Sequence, residues 1–510
     1  MPAWLRRQSE PRRRWLGLLA GALSALAFAP VNLLPLMPLA LAVLVWLIDG
    51  AGNRREAARL GWWFSFGQLA TGLYWIALSF QYQSAMPPMT GVVAVILLAG
   101  FLALYGALAA AVAHRFWSAG PLRVLVLAIA WVVCEGLRGH LFTGFPWNLV
   151  GNSWLVLPPV AQAASVVGAY GLSFLMVLAG GAVALLADGR AASLRAARLI
   201  GLLLLAVAMA GAWRLLSPAP PPAGVPLYII QANIAQDIKW DASDPRRNLR
   251  EHLELSDAAM APGAPGLVIW PETAIPNIVE EELSTRYLIA RHVSDGSLVL
   301  MGGLRVDRTA DGLAEAVRNS LLVIDPEGRI QGSYDKAHLV PFGEYLPFRS
   351  LLEAIGIARL APGDIDFVAG PGARTLALPG YPAVGPMICY EAIFPGAVAD
   401  RDHRPDWLLN VSNDAWFGLS AGPHQHLASA RLRAIEEGLP LVRSTPTGIS
   451  AVIDAKGRLT AHLGLGERGV LKGVLPGALP ATLYSRFSDW PLLILLTLTS
   501  VVVVIVRRRN

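Results

Sequence analysis

Cys389 sits in the stretch MICYEAIFP (387–395) and is one of only two cysteines in 510 residues. A thiol at the end of an apolar run becomes a nucleophile when a proton acceptor and a cation stand beside it. Two other apolar runs end on such groups. LVIWPE (267–272) ends in Glu272, and GSYDKAHLVPFGEYLP (332–347) offers Lys336 and Glu344. A glutamate can take the thiol proton. A lysine can donate to the oxyanion of a tetrahedral intermediate and favours thiolate. Glu272, Lys336 and Cys389 therefore form a coherent set for covalent catalysis.

Chemistry of this kind needs elements that deliver the groups to one place. From residue 226, strand-like runs alternate with helical patterns. PLYIIQANI, GLVIWPE, LVLMGGLRV, SLLVIDPEG, VGPMICYE, DWLLNVSND and GISAVIDAKG read as strands running into turns. DPRRNLREHLELSDAAM (244–260) and HQHLASARLRAIEEG (424–438) read as helices. Strands that are apolar throughout predict a sheet covered on both faces, hence a layered α/β domain. In such sheets ligands bind beyond the carboxyl ends of the strands, where loops converge.

The rest of the chain is different. Hydrophobic residues make up 54% and charged residues 15%, against about 25% charged in a soluble globule. A spanning helix needs roughly 17 to 25 apolar residues. That length predicts seven spans near 14–30, 33–49, 57–80, 87–114, 121–140, 159–187 and 195–215, and an eighth at 490–506. Arginines cluster before the first span (Arg6, Arg7, Arg12, Arg13, Arg14) and between the second and third (Arg54, Arg55, Arg59). They recur at Arg115 and Arg123, at Arg190, Arg195 and Arg198, and at Arg507 to Arg509. The alternate connections APVNLLPLMP and QYQSAMPPMT carry no Lys or Arg. This alternation predicts both termini in the cytoplasm and the globular domain outside, in the periplasm of a bacterium. The basic start followed by Ala27-Phe28-Ala29 resembles a signal peptide, but Pro30 makes a poor cleavage site, so a retained first helix is expected.

The expected layout is a helical membrane region over 1–216, a proline-rich linker over 217–224 and a catalytic domain over 225–480. A terminal helix over 488–506 and a tail over 507–510 complete it. The net charge of +6 then reflects topology and gives no support to nucleic-acid binding. A single cysteine in the exported domain excludes an internal disulfide, and Cys134 reads as an inert buried thiol. Glu135 and Arg138, one turn apart in the fifth span, read either as a structural ion pair or as a lipid-headgroup contact. His424 and His426 lack a third ligand for a metal.

Four motifs, WPETAIP, KAHLVPFGEYLP, CYEAIFP and LLNVSNDAWFG, together resemble the nitrilase (carbon–nitrogen hydrolase) superfamily. With membrane helices before and after, the chain resembles the apolipoprotein N-acyltransferases over nearly its whole length. The resemblance implies an αββα sandwich on a polytopic helical region, with Glu272, Lys336 and Cys389 as the catalytic triad. It makes Glu344 the second glutamate, which orients the lysine, and marks Tyr390 and Glu391 as supporting residues. Trp240, in QANIAQDIKWD, matches a tryptophan tied to activity. From the residues themselves, Trp416 and Phe417 read either as lining acyl entry or as packing after a strand, and the apolar stretch 345–363 either as a lid touching lipid or as core packing. Pro446 departs from the pattern where an asparagine is expected, which concerns loop contacts and not the triad.

The implied reaction moves an acyl chain from a phospholipid, phosphatidylethanolamine, to Cys389 as a thioester. It then passes to the α-amino group of a diacylglyceryl-cysteine on an apolipoprotein. No metal or cofactor is implied. The alternative is a membrane-tethered amidase or nitrilase that uses the same triad and passes the acyl group to water.

Overall fold

The computed structural model describes residues 8–509 apart from 83–86, 88, 240–243, 245, 261–264, 355–358 and 361–364. Contacts divide the chain into two units. One comprises Met1–Ala77, Gly91–Pro218 and Thr482–Asn510, and the other Leu78–Thr90 and Ala219–Ala481. The segment Leu78–Thr90, which hydropathy assigns to the helical region, thus belongs with the α/β unit.

The first unit is helical. Its main elements are α1 (Glu10–Ser24), α2 (Leu36–Asp49), α3 (Arg54–Gly72), α4 (Thr90–Arg115), α5 (Leu122–His140), α6 (Ala164–Leu186) and α7 (Ala191–Leu216), with a C-terminal helix Trp490–Arg509. Each overlaps one of the spans expected from hydropathy. By length and composition α4, α5, α6, α7 and the C-terminal helix could each cross a membrane. The other three are shorter or open on a charged turn, as α3 does at Arg54, Arg55 and Glu56. Asn53 caps α3 by accepting from Glu56 N at 3.0 Å, which satisfies an otherwise orphaned donor.

Two buried arginines of this unit are paired with acids. Arg123 on α5 bonds Asp49 at 3.1 Å and Asp188 at 2.8 Å, tying three helix ends together. Glu135 and Arg138 are both buried and lie 3.8 Å apart. Glu135 accepts from Val150 N at 3.1 Å, and Arg138 donates to Trp147 O at 3.1 Å. The pair faces inward and holds the loop that follows α5, so the structure takes the ion-pair alternative.

Among the described residues, the second unit contains twelve strands in two sheets of six. They are β1 (Pro226–Gln231), β2 (Leu267–Trp270), β3 (Leu298–Arg308), β4 (Ala314–Ile324), β5 (Ile330–Asp335) and β6 (Leu376–Leu378), followed by β7 (Tyr381–Ile388), β8 (Trp407–Val411), β9 (Leu441–Ser444), β10 (Ser450–Ile453), β11 (Leu459–Leu463) and β12 (Gly469–Val474). The orders are β12-β1-β2-β3-β4-β5 and β11-β10-β9-β8-β7-β6. Each sheet has a parallel centre, β1-β2-β3 in one and β7-β8-β9 in the other, flanked by antiparallel strands. Three helices cover the sheets: α8 (Arg247–Met260), α9 (Leu283–Ala290) and α10 (Gly422–Glu437).

Period-two alternation along the strands builds the layers. Leu227, Ile229, Leu267, Ile269 and Leu300 of one sheet meet Ile388, Trp407, Leu409, Val411 and Val442 of the other. The intervening Tyr228, Ile230, Val268 and Trp270 face outward against Leu249, Leu253 and Ile289 of α8 and α9. On the far side Met387, Leu408 and Leu441 pack on Leu427, Ala430 and Ala434 of α10. This is the expected αββα sandwich, and both faces of each sheet are covered. The strands that the apolar runs do not announce are β5, β6, β9, β11 and β12. β5, β6, β11 and β12 are the edge strands and are short or carry polar residues, as in IQGSYD, whereas β9 is a buried central strand of only four residues that includes the charged Arg443.

Topology sets the site. β4 is antiparallel to both β3 and β5, so β5 runs in the direction of β2 and β3. Its carboxyl end, with Lys336 next, therefore emerges on the same side as the end of β2 that leads to Glu272. Gly302 in β3 lets this happen. An added Cβ there would lie 2.5 Å from Glu272 Cα and 2.7 Å from Pro271 O. Gly302→Ala must therefore displace the Glu272 backbone, an overpacking worth ~1–3 kcal/mol. Turnover is expected to fall roughly 10-fold or more at that strain, which steady-state kinetics on the folded, purified variant will measure.

Candidate active site

Glu272 lies two residues past β2, Lys336 directly follows β5, and Cys389 directly follows β7. All three are nearly buried, at 5%, 1% and 8% exposure. The lysine ammonium is held between two carboxylates, 2.9 Å from Glu344 Oε1 and 3.7 Å from Glu272 Oε1. Asn319 of β4 donates to both, at 2.6 Å to Glu272 and 2.9 Å to Glu344. Backbone donors complete the carboxylates: Asn413 N reaches Glu272 Oε2 at 2.6 Å, and Val340 N reaches Glu344 Oε2 at 2.8 Å. The lysine's own backbone is fixed by its N–H to Asn319 O at 2.8 Å.

These contacts decide ionisation. Burial pulls the Lys336 pKa down, but Glu344, Glu272 and Cys389 together outweigh it and hold the ammonium above its ordinary value. The cation is therefore permanent at working pH. Burial, then the charge on Glu272, push the Cys389 thiol well above its ordinary range, and Lys336 offsets only part of this. Cys389 thus rests as a protonated thiol, and any attack by its sulfur would require a base to take the proton. Glu272 is near enough to influence that thiol and is anchored at both carboxylate oxygens, so it can do so.

Cys389 has φ of 50°, a left-handed conformation that a residue with a side chain adopts only when its surroundings impose it. The supporting residues show how. Glu391 accepts from Ile388 N at 2.6 Å, and from Tyr334 Oη, Ala337 N and His338 N at 2.8, 2.8 and 3.1 Å. One carboxylate thereby joins the strand end before Cys389 to the segment after Lys336. Tyr390 is buried and meets the Phe394 ring edge-on at 5.0 Å. Arg359 donates to Glu344 O at 3.1 Å, pinning the turn that carries the second glutamate.

Sequence patterns do not announce Asn319, Asn413 or Lys239. Asn319 and Asn413 border apolar runs and read there as strand punctuation. Lys239 is buried and donates to Glu272 O at 3.2 Å. Turned so that its oxygen faces donors, the Asn413 amide accepts from Lys239 Nζ at 3.2 Å and Trp416 Nε1 at 3.3 Å. Burial lowers the Lys239 pKa to about 8, although Glu272 draws it up.

The aromatic candidates are placed apart from the triad's ionic contacts. Trp416 is half-buried, its carbonyl accepts from Ser79 Oγ at 2.9 Å, and its ring meets Tyr82 at 5.9 Å. Phe417 meets the ring of His426, also at 5.9 Å. Trp240 lies outside the described residues, as do 355–358, 361–363 and the side chains of Leu351 and Leu352 in the expected lid. The Pro446 carbonyl accepts from Asn233 N at 2.8 Å.

The sandwich and its Glu-Lys-Cys centre define a carbon–nitrogen hydrolase domain, and the family model of that description, "Carbon-nitrogen hydrolase", matches residues 229–478. A second, "Apolipoprotein N-acyltransferase N-terminal domain", matches residues 20–182. The apolipoprotein N-acyltransferase of Rhodopseudomonas palustris is 41% identical over 98% of this chain and 96% of its own. That of Bradyrhizobium diazoefficiens is 42% identical over 98% and 95%. An amidase from Nesterenkonia sp. of known structure aligns with 54% of this chain and 97% of its own, at 18% identity and a TM-score of 0.37. The chain belongs to the apolipoprotein N-acyltransferase family and is an integral membrane protein.

The raised thiol pKa predicts slow alkylation at neutral pH. Labelling of Cys389 by iodoacetamide, followed by mass spectrometry, is expected to keep rising past pH ~8.5, the range of an ordinary thiol. Removing the neighbouring negative charge by Glu272→Gln should shift that profile to lower pH while transfer activity is lost. A plateau near pH ~8.5 in the unmodified protein would contradict this account of the site.

Proposed function

We propose that the protein transfers an acyl chain from a membrane phospholipid to the N-terminal α-amino group of diacylglyceryl-cysteine on an apolipoprotein, through a thioester on Cys389. The observation that carries this reading is a buried thiol whose ionisation both Glu272 and Lys336 influence, in a chain of the acyltransferase family. Glu272 takes the Sγ proton as sulfur attacks the ester carbonyl. Lys336 donates to the oxyanion of the tetrahedral intermediate. On collapse, the carbon–oxygen bond breaks and the proton on Glu272 passes to the departing lysophospholipid. The incoming amine then attacks the thioester and Glu272 takes its proton. Sulfur leaves, is reprotonated, and the amide is complete. An α-amino group has a pKa of about 7.7–8.0, so a useful fraction is neutral at physiological pH.

Glu344 acts through Lys336, which it holds at 2.9 Å, and Asn319 keeps the two glutamates apart yet paired with the same cation. Asn319→Leu removes both of its bonds to charged groups, each worth ~1.5–3 kcal/mol, so a loss of roughly 100-fold or more in kcat is expected. Phosphatidylethanolamine is the donor that the family resemblance supports. The alternating arginines support a bacterial inner-membrane location with both termini in the cytoplasm and the α/β unit in the periplasm.

The test has two parts. Intact-protein mass spectrometry after exposure to phospholipid should find an adduct of fatty-acyl mass on Cys389, removable by hydroxylamine and missing from Cys389→Ala. Labelled phospholipid supplied with a diacylglyceryl lipopeptide should place the label on the peptide amine. Label appearing only as free fatty acid would establish the amidase-type alternative, and transfer undiminished in Cys389→Ala would exclude the thioester.

A further inference from the structure

Behind Cys389 lies a charged cluster that the transfer chemistry does not use. Asp414, His426 and Arg443 are all 0% exposed. Asp414 follows β8, Arg443 belongs to β9, and His426 belongs to α10, so the cluster joins two strands of one sheet to the helix that covers it. Arg443 Nη2 donates to Asp414 Oδ2 at 2.6 Å, and Ser412 Oγ donates to Asp414 Oδ1 at 2.7 Å. Arg443 Nη1 also bonds Asn410 Oδ1.

The imidazole of His426 sits between this cluster and the nucleophile. Its Nε2 is 2.9 Å from the backbone oxygen of Cys389. Its Nδ1 is 2.9 Å from Asp414 Oδ1 and 3.1 Å from Arg443 Nη2. A carbonyl oxygen can only accept, so Nε2 must carry the hydrogen of that contact. Burial, then the Arg443 charge, hold the imidazole pKa below its ordinary value. In the neutral ring Nδ1 has no hydrogen to give Asp414, so it accepts from Arg443 Nη2, and Asp414 acts by holding that guanidinium through Oδ2.

Cys389 needs such a contact. Its φ of 50° is imposed by neighbours on both sides. Before it, Ile388 N is held by Glu391; after it, the Cys389 carbonyl is held by His426. We infer that His426 is a positioning residue for the nucleophile, donating from Nε2 to the Cys389 carbonyl, with Arg443, itself held by Asp414, fixing the ring through Nδ1, so that the left-handed backbone keeps the sulfur aimed at the acyl carbonyl. His426 touches no reacting atom. The inference rests on the reading of Cys389 as the acyl-carrying residue.

Gln and Met differ little in size, and only Gln offers a donor. His426→Gln is expected to keep kcat within about threefold of the unmodified enzyme, and His426→Met to lose roughly 10- to 100-fold, the effect of one lost buried hydrogen bond. The KM for phospholipid should stay within about twofold in both, and the rate of Cys389 alkylation should change in the Met variant alone. If folded His426→Met turns over as fast as His426→Gln, or if the loss lies in KM, the inference is overturned. Should His426→Met fail to fold, Gly448→Ala takes its place. A Cβ there would lie 2.7 Å from Asp414 Cβ and would move the ring's support without altering the ring. A lowered kcat at unchanged KM supports the inference, and an unaltered kcat overturns it. An acyl adduct on Cys389 of the unmodified enzyme, measured in parallel, separates failure of this inference from failure of the thioester reading.

Discussion

The site depends on burying one ammonium between two carboxylates beside a neutral thiol. Taking charges out of water is costly, and the attraction between them repays this only when the remaining hydrogen-bonding positions are filled. Here they are filled by Asn319, Asn413 N and Val340 N. Each of these donors comes from a different part of the sandwich: Asn319 from β4, Asn413 from the turn after β8 and Val340 from the segment after β5. The sandwich therefore cannot loosen locally without leaving a buried charge unpaired, and its two sheets are held to one relative register at the point where chemistry occurs.

That arrangement also sets the order of chemical events. The thiol is protonated at rest because burial and Glu272 outweigh Lys336. A standing thiolate would be open to oxidation and alkylation. A thiol that ionises only as substrate arrives is better protected. The lysine, kept charged by its carboxylates, is available throughout to meet an oxyanion. The supporting residues divide along the same lines. Glu391 and Arg359 hold backbone, whereas Glu344 and Asn319 hold charge.

Much of this was legible in the chain before any coordinates. Apolar runs ending in Glu272 and Cys389 mark strands that deliver reactive groups, and the eight apolar stretches find their helices. The acids and bases at strand ends stand out because buried strands contain few of them. Other parts were not legible. Asn319, Asn413 and Lys239 look like ordinary polar residues beside strands, because their significance lies in which groups they face. β5, which positions Lys336, is a polar hexapeptide with little strand signature, since a near-edge strand can leave part of its length in water. His424 and His426 form a motif that reads first as a poor metal site, and only the fold shows His426 turned toward the Cys389 carbonyl.

By itself, the amino-acid sequence determined the division into apolar helices and a layered α/β domain, and it singled out Glu272, Lys336 and Cys389 as the candidates that the fold brings together. Periodicity, hydropathy and residue type are local properties, and they survive being read along a line. Only the tertiary structure decided that β5 points its end where β2 does and that one asparagine serves two glutamates. It likewise decided that a buried histidine holds the nucleophile's backbone. These are relations between residues far apart in the chain, fixed by strand direction and by the requirement that every buried charge find its partner.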